Sequence, residues 1–408
     1  MKNKRIIPFS PPDISKMEIR EVIKTLKSGW ITTGKKTKLF EKKIAEYIGV
    51  SKAVVLNSWT AAAELALFIL GVGPGDEVIT SSYTYTASAS IVHHLGAKIV
   101  LVDTAENSYE MDYKKLENAI TEKTKVIIPV DIAGVICDYD KIYEIVNRKK
   151  NLFQSSNKMQ KSIGRIIILS DAAHSFGAKR NGLISGQLAD ITCFSFHAVK
   201  NLTTSEGGAV VWKETFGLTD QELYNKFMYY SLHGQTKDAL TKLNKSSWEY
   251  DVIYPAFKCN MTDVHASIGI AQIDRYKKLL RKRSKIIKTY KKYLDEKNIV
   301  LLEHEGTNFK SSGHLLICNI NNITLLQRNE IINRMYNHGI STNVHYKPLP
   351  LLTAYKNLGF NIQNFQNSYK NYITEITLPL YPSLSIKDAK FVSTTLNKII
   401  KEIKIKNV

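Results

Sequence analysis

Two ionisable residues stand out for where they fall. Asp171 closes an apolar run, RIIILSDA (165–172). Lys200 comes twenty-nine residues later, just beyond a second apolar run, DITCFSF (190–196), that carries Ser195. An isolated aspartate at a strand end is ordinarily structural. A lysine held close to a buried strand is less ordinary, because lysine is rarely buried without a reason. Partial desolvation lowers an amine's pKa and lets it attack a carbonyl. A buried carboxylate can keep a ring nitrogen protonated, so that the ring accepts electrons. A phosphate would need backbone N–H groups at a helix start and nearby hydroxyls. Thr60, which opens an apolar helical run, and Ser195 meet that need. An aromatic side chain to cover a flat ring is offered by YTY (83–85). Together these residue types suit pyridoxal phosphate.

Positioning such a set takes strands whose ends converge. AVVLN (53–57), EVITSS (77–82), AKIVLVD (97–103), KVIIPV (125–130), RIIILSDA, DITCFSF and GGAVVW (207–212) read as buried strands. Helical patterns such as WTAAAELALFIL and YDKIYEIVNRKK (139–150) separate several of them. That alternation predicts an α/β fold, a mostly parallel central sheet with helices on both faces. Ligands then sit beyond the carboxyl ends of the strands. DISKMEIREVIKTLKSG (13–29) predicts an amphipathic helix, with Asp13 as its cap and Gly29 as its stop. NLFQSSNKMQKS (151–162) is polar and without pattern, which suggests a surface insertion. From about residue 265 a long lysine-rich helix leads into short strands, GHLLICNI (313–320), and further helices. The expected division is a large domain over 1–265 and a smaller α+β domain over 266–408.

The chain has 408 residues, with 57 Lys plus Arg against 37 Asp plus Glu, a net charge of +20. Such a charge invites a nucleic-acid reading. Lysine far outnumbers arginine, however, and arginine is the preferred residue for forked phosphate and base contacts. The lysines are scattered along helix faces such as RYKKLLRKRSKIIKTYKKY (275–293), so neither nucleic acid nor membrane is expected as a partner. The longest apolar stretch, AAAELALFILGVG (61–73), is interrupted by Glu64 and too short to cross a bilayer. The cysteines at 137, 193, 259 and 318 include no pair with the two-residue gap of a zinc or redox site. No metal site is expected, and a reduced, cytoplasmic compartment is.

Six blocks, in order, resemble the DegT/StrS family of pyridoxal-phosphate-dependent sugar aminotransferases, a branch of the fold-type-I transferases. They are GVGPGDEVITSSYTYTASAS (71–90), DAAHSFGA (171–178), FSFHAVKNLTTSEGGAV (194–210), LHG (232–234), CNMTDVHASIGIAQID (259–274) and LPLYPSLS (378–385). The segments SGWITTG and FHAVKN look most like the branch that aminates the 4-keto form of UDP-linked L-arabinose. The resemblance implies an aminotransferase that moves an amino group from L-glutamate, leaving 2-oxoglutarate, to a nucleotide-linked keto sugar. Lys200 would then be the Schiff-base lysine and proton carrier, and Asp171 the partner of the pyridine nitrogen. His174 would contact the ring hydroxyl and Tyr85 would stack on the ring. Trp59, Thr60 and Ser195 would lie at the phosphate. Asn260 would reach the phosphate of a neighbouring subunit, so a homodimer with shared sites is implied. His345, in VHYKPLP, falls where the family has a substrate-side histidine.

Plainer roles exist for several of these residues. His174 and His345 are also what a polar core position or a turn would carry. Tyr83 and Thr84 compete with Tyr85 for the stacking place. Asn260 and Thr262 are both good helix caps. The sequence departs from the family at Trp59, where a small residue is usual before the threonine. It departs again at Ser81–Ser82, where a proline is usual, and at Asp131, where histidine is frequent. These loops are expected to border the mouth of the site. Two other readings stay in view: a dehydratase-like relative, which would carry histidine in place of Lys200, and a noncatalytic binding protein on the same fold.

Overall fold

A computed structural model describes residues 5–237 and 249–405. The central sheet has seven strands: β1 (Ala53–Leu56), β2 (Glu77–Ser81), β3 (Lys98–Val102), β4 (Thr124–Ile128), β5 (Ile167–Asp171), β8 (Ile191–Ser195) and β9 (Gly208–Trp212). Their order is β1-β9-β8-β5-β4-β2-β3. The neighbours β3, β2, β4, β5 and β8 run parallel, and β9 runs against both β8 and β1. Because β9 is reversed, its first residue lies at the edge where the others end. Gly208 pairs there with Ser195 and with Leu56.

The layers on the sheet are α1 (Lys16–Lys27), α2 (Lys35–Ile48), α3 (Trp59–Ile69), α4 (Ala87–His94), α5 (Tyr113–Ala119), α6 (Tyr139–Arg148), α7 (Lys158–Ile163), α8 (Asp220–Tyr230) and the start of α9 (Asp263–Tyr293). Six of the seven strands are buried on both faces, as the continuous apolar runs required, while β3 at the edge leaves Lys98 exposed. The helix expected over 13–29 is shorter than predicted, and its cap is Ser15, not Asp13. Ser15 accepts from the Met17 N–H, while Glu18 accepts from the Ser15 N–H, closing a capping box. Asp13 is drawn away by Arg275, which binds its side chain and its carbonyl. Gly29 does lie just beyond the helix, at φ 72°.

The segment 151–162 is not patternless. Asn157 caps α7, and the amides of Asn157 and the buried Gln160 both donate to the Leu70 carbonyl, at 2.8 and 3.0 Å. Polar side chains here satisfy the carbonyl of Leu70, the residue that ends α3, which hydropathy does not reveal.

A second sheet, β10 (Ile299–Leu301), β12 (Leu316–Ile320) and β13 (Glu375–Leu378), is antiparallel throughout. Helices α10 (Leu325–Asn337), α12 (Gln366–Thr374) and α13 (Ile386–Ile405) accompany it, while α11 (Thr353–Asn357) sets Tyr355 into the core of the central sheet. The short strands β6 (Lys179–Arg180), β7 (Leu183–Ile184) and β11 (Phe309–Lys310) tie the loop after Asp171 to this part of the chain. Helix α9 belongs to both cores. Ala266, Ile270 and Tyr276 pack with the central sheet, whereas Ile286 and Tyr290 pack with the small one. The expected division at 265/266 therefore falls at the first turn of a helix that continues across it. Among the described residues, no helix is long and apolar enough to cross a membrane.

Candidate active site

At the carboxyl edge of the central sheet lies a cavity of about 340 Å³. Eight of the nine residues singled out in the sequence line it: Trp59, Thr60, Tyr85, Asp171, His174, Ser195, Lys200 and His345. Asp171 is the last residue of β5 and Ser195 the last of β8. The parallel pairing that aligns Asp171 with Cys193 sets them side by side. Lys200 follows on a turn held by its own N–H to the His197 carbonyl, 2.9 Å.

Asp171 is buried and accepts from the Ser88 hydroxyl at 2.6 Å and from the Ala173 N–H at 3.2 Å. Burial raises its pKa to about 6, against the opposing pull of Ser88, Ala173 and Lys200. Lys200 is half-buried, and its pKa falls to about 8 through desolvation, with Asp171 pulling it back up. Desolvation outweighs mutual attraction at both groups, so this is not a tight ion pair. It is a carboxylate and an amine, each poised near neutrality.

His174 is buried, and its pKa lies well below the usual imidazole value, first through burial and then through Lys200 and His345. The neutral ring has one N–H. Nδ1 accepts from the Ala133 N–H at 3.3 Å, which leaves the proton on Nε2, 3.2 Å from the Tyr346 hydroxyl. Tyr346 itself lines the cavity and was not singled out in the sequence. Its position beside His345 was the available signal. Ser88, inside the ASAS run, gave no such signal: only the fold brings it to Asp171.

Of the competing aromatics, Tyr83 is fully buried against Tyr109, while Tyr85 is 61% exposed and faces the cavity. The stacking candidate is thus Tyr85. Trp59 turns its indole into the core, with Nε1 buried and unpartnered. The bulky residue leaves the helix start intact, since Ser58 still caps α3 by accepting from the Ala61 N–H at 3.0 Å. Asp131 does not border the mouth. It is buried behind Asp171, accepting from Ser175 (2.7 Å) and from the Cys137 N–H (3.0 Å). Ser82 is likewise internal, 2.8 Å from Ser368. A buried hydroxyl or carboxylate with this many partners serves the scaffold. Asn260 lies outside this chain's own cavity. It pairs with Leu56, donates to Thr33 at 2.5 Å and accepts from Lys258. Thr262, not Asn260, caps α9.

Backbone at the cavity floor must come very close. A Cβ on Gly208 would meet the Ser58 carbonyl carbon at 2.3 Å and the Trp59 nitrogen at 2.6 Å. Only glycine lets β9 pass beneath the first turn of α3. The open amides of that turn, the hydroxyls of Thr60 and Ser195, and the buried Asp171 fit the phosphate and the ring nitrogen of pyridoxal phosphate.

This combination of sheet edge, lysine, buried carboxylate and phosphate cradle defines a pyridoxal-phosphate enzyme of the aminotransferase type. The chain belongs to the DegT/DnrJ/EryC1/StrS aminotransferase family, which it matches over residues 12–397. It is 35% identical over 404 residues to the spore coat polysaccharide biosynthesis protein SpsC of Bacillus subtilis, covering 98% of each chain. It is 32% identical over 403 residues to the UDP-4-amino-4-deoxy-L-arabinose–oxoglutarate aminotransferase of Shewanella sediminis, covering 97% of this chain and 98% of that one. The fold superposes on Spr1654 of Streptococcus pneumoniae, assigned to the sugar aminotransferases. The apo form gives a TM-score of 0.96 at 49% identity, covering 99% of this chain and 100% of that one. The same protein was also solved in PMP and PLP forms. The enzyme is thus a pyridoxal-phosphate-dependent sugar aminotransferase.

Proposed function

We propose that the enzyme moves an amino group from L-glutamate to a nucleotide-linked keto sugar, a UDP- or dTDP-sugar with the ketone at carbon 4. A ketone at carbon 3 is the second choice. The observation that carries this reading is the near end-to-end relationship to the Shewanella enzyme, together with Lys200 and Asp171 facing one cavity. The relationship to SpsC favours a product destined for a polysaccharide.

The residues divide the work. Amide N–H groups at the start of α3, with Thr60 and Ser195, hold the phosphate. Asp171 keeps a proton on the pyridine nitrogen, and Ser88 and the Ala173 N–H hold that carboxylate in aim. Tyr85 covers one face of the ring. His174 donates from Nε2 to the Tyr346 oxygen, which frees the Tyr346 O–H to donate towards the ring substituents. Bound here, pyridoxal phosphate supplies a carbonyl for the lysine and an electron sink for charge left on the substrate carbon. Lys200 Nζ, with its pKa lowered to about 8, takes a proton from that carbon and returns it one position away. Asn260 acts on the neighbouring subunit's phosphate, so the working unit is a homodimer. Four free, buried thiols suit a cytoplasmic location.

Lys200 disfavours the dehydratase-like alternative, and a noncatalytic protein would have no use for a desolvated lysine beside a buried carboxylate. A panel of UDP-, dTDP- and GDP-linked 3- and 4-keto sugars, each offered with glutamate, tests the reading. Amine product from a 4-keto UDP- or dTDP-sugar is expected. No amine product from any member would overturn it.

A further inference from the structure

The loop that carries Lys200 runs over 197–203, between β8 and β9. It closes where the Thr204 N–H donates to the Phe196 carbonyl at 2.9 Å. That closure fixes the ends of the loop but not its middle, where Lys200 sits. The residue after the lysine holds the middle. Asn201 is buried, and both edges of its amide are engaged. Nδ2 donates to the Ser312 carbonyl at 2.8 Å, and Oδ1 lies 3.1 Å from His314 Nδ1. Among the described residues, Asn201 is the loop's hydrogen-bonded link to distant parts of the chain. Residues 312–314 make a firm post for it. The N–H groups of Ser312 and His314 donate to the carbonyls of Gly134 and Ala133, at 3.1 and 3.0 Å. The Ser312 hydroxyl donates to the His174 carbonyl. The buried Arg283 of α9 donates to the carbonyls of Gly313 and His314, both at 3.3 Å. Two residues beyond His314, β12 of the small sheet begins.

A carbonyl only accepts, so the amide edge that meets Ser312 is the NH2 and the edge that meets His314 is the oxygen. That oxygen also only accepts, so His314 Nδ1 carries the hydrogen. Burial, then His174 and Lys200, holds His314 well below the usual imidazole value, so its ring is neutral. It grips Asn201 without setting a charge beside the lysine. We propose that Asn201 is a positioning residue: its hold on Ser312 and His314 steadies the loop that carries Lys200 and sets the aim of Nζ from the small-sheet side. This rests on Lys200 as the reacting amine, as proposed above. Misplacing a reacting group by about 1 Å can cost about a hundredfold in rate.

Asn201→Leu holoenzyme tests this, since leucine is close in shape and makes neither bond. Single-turnover rates with glutamate and with the sugar selected by the panel should both fall roughly tenfold or more, because one lysine serves both. KM for each should stay within about twofold of the parent's. The visible circular dichroism of the bound cofactor should weaken. Leu396→Ala, a truncation in the core of the small sheet, should lower Tm yet leave the rate per bound cofactor and the dichroism as they were. A pair at His314 gives an independent answer, and decides the matter should Asn201→Leu fail to fold. His314→Asn keeps an N–H in the place of Nδ1 and should hold both rates within about threefold, whereas His314→Leu should lose them roughly tenfold. Unchanged rates in the leucine variants, a raised KM in place of a lowered rate, a loss in one half-reaction only, or a His314→Asn enzyme as slow as His314→Leu overturns the proposal. Full activity of Lys200→Ala, or a parent enzyme that glutamate does not bleach, would instead sink the function proposed above, and the dichroism would still judge Asn201.

Discussion

At the scale of single residues, the reactive pair is defined by desolvation. Lys200 sits where its pKa falls to about 8. At pH 7 about one amine in ten is then neutral, against roughly one in three thousand for an ordinary lysine. The sign follows directly: below about 8 the amine is mostly protonated and unreactive, above it mostly free. Uptake of pyridoxal phosphate by the apoenzyme, followed by its visible absorption, should accelerate with pH through a midpoint near 8 and then level off. A rate that keeps climbing to pH 10 would show that the pocket does not perturb the lysine. Asp171 and Lys200 could be read from the sequence because polar groups at the ends of apolar strands are conspicuous. Ser88 could not, since only packing brings it to Asp171, and Tyr346 was marked by nothing beyond its place beside His345.

At the scale of elements, the site depends on how closely β9 passes the start of α3. Gly208 carries no conformational anomaly that a sequence would flag. Its reason is the 2.3 Å approach to Ser58 that a Cβ would make. Gly208→Ala must push the first turn of α3 away. An overpacking cost of about 1–3 kcal/mol is expected, read as a lower Tm. A weaker Kd for pyridoxal phosphate should accompany it, because the displaced turn is the phosphate cradle. A variant as stable as the parent with unchanged cofactor affinity would show that the approach is not needed. The seven strands of the central sheet were legible as continuous apolar runs, and each lies within about two residues of its expected position, whereas β6, β7, β10, β11 and β13 were not foreseen. The helix at 158–163 was not, because its anchoring is polar and directed at a carbonyl 87 and 90 residues away in the chain. The cap of α1 was misread for a similar reason: Asp13 has a better partner in Arg275 than in its own helix.

At the scale of the whole molecule, the proposal that Asn260 serves a neighbouring site makes a quantitative prediction. Lys200→Ala and Asn260→Ala chains, each impaired alone, should form mixed dimers on refolding together. One site of each mixed dimer would then hold both native residues. Statistical mixing gives about a quarter of the parent activity. No recovery would place Asn260 in its own chain's chemistry or outside the reaction. The net charge of +20 needs no nucleic acid to explain it. Several lysines of the outer helices are engaged at the surface, as Lys291 with Glu303 and Lys43 with Asp274. Such exposed pairs contribute little to stability. A positive field would still favour capture of anionic cofactor and nucleotide sugar, within the roughly 8 Å reach left by physiological salt.

The central claim is that Lys200 is the amine on which the reaction turns. The most direct measurement is the visible spectrum of the purified enzyme and of Lys200→Ala, each before and after addition of glutamate. The parent should be yellow and should lose that absorption as glutamate is consumed. Lys200→Ala should lack the lysine-bound absorption and turn over no sugar. A Lys200→Ala enzyme that keeps the spectrum and the full activity of the parent would contradict the account.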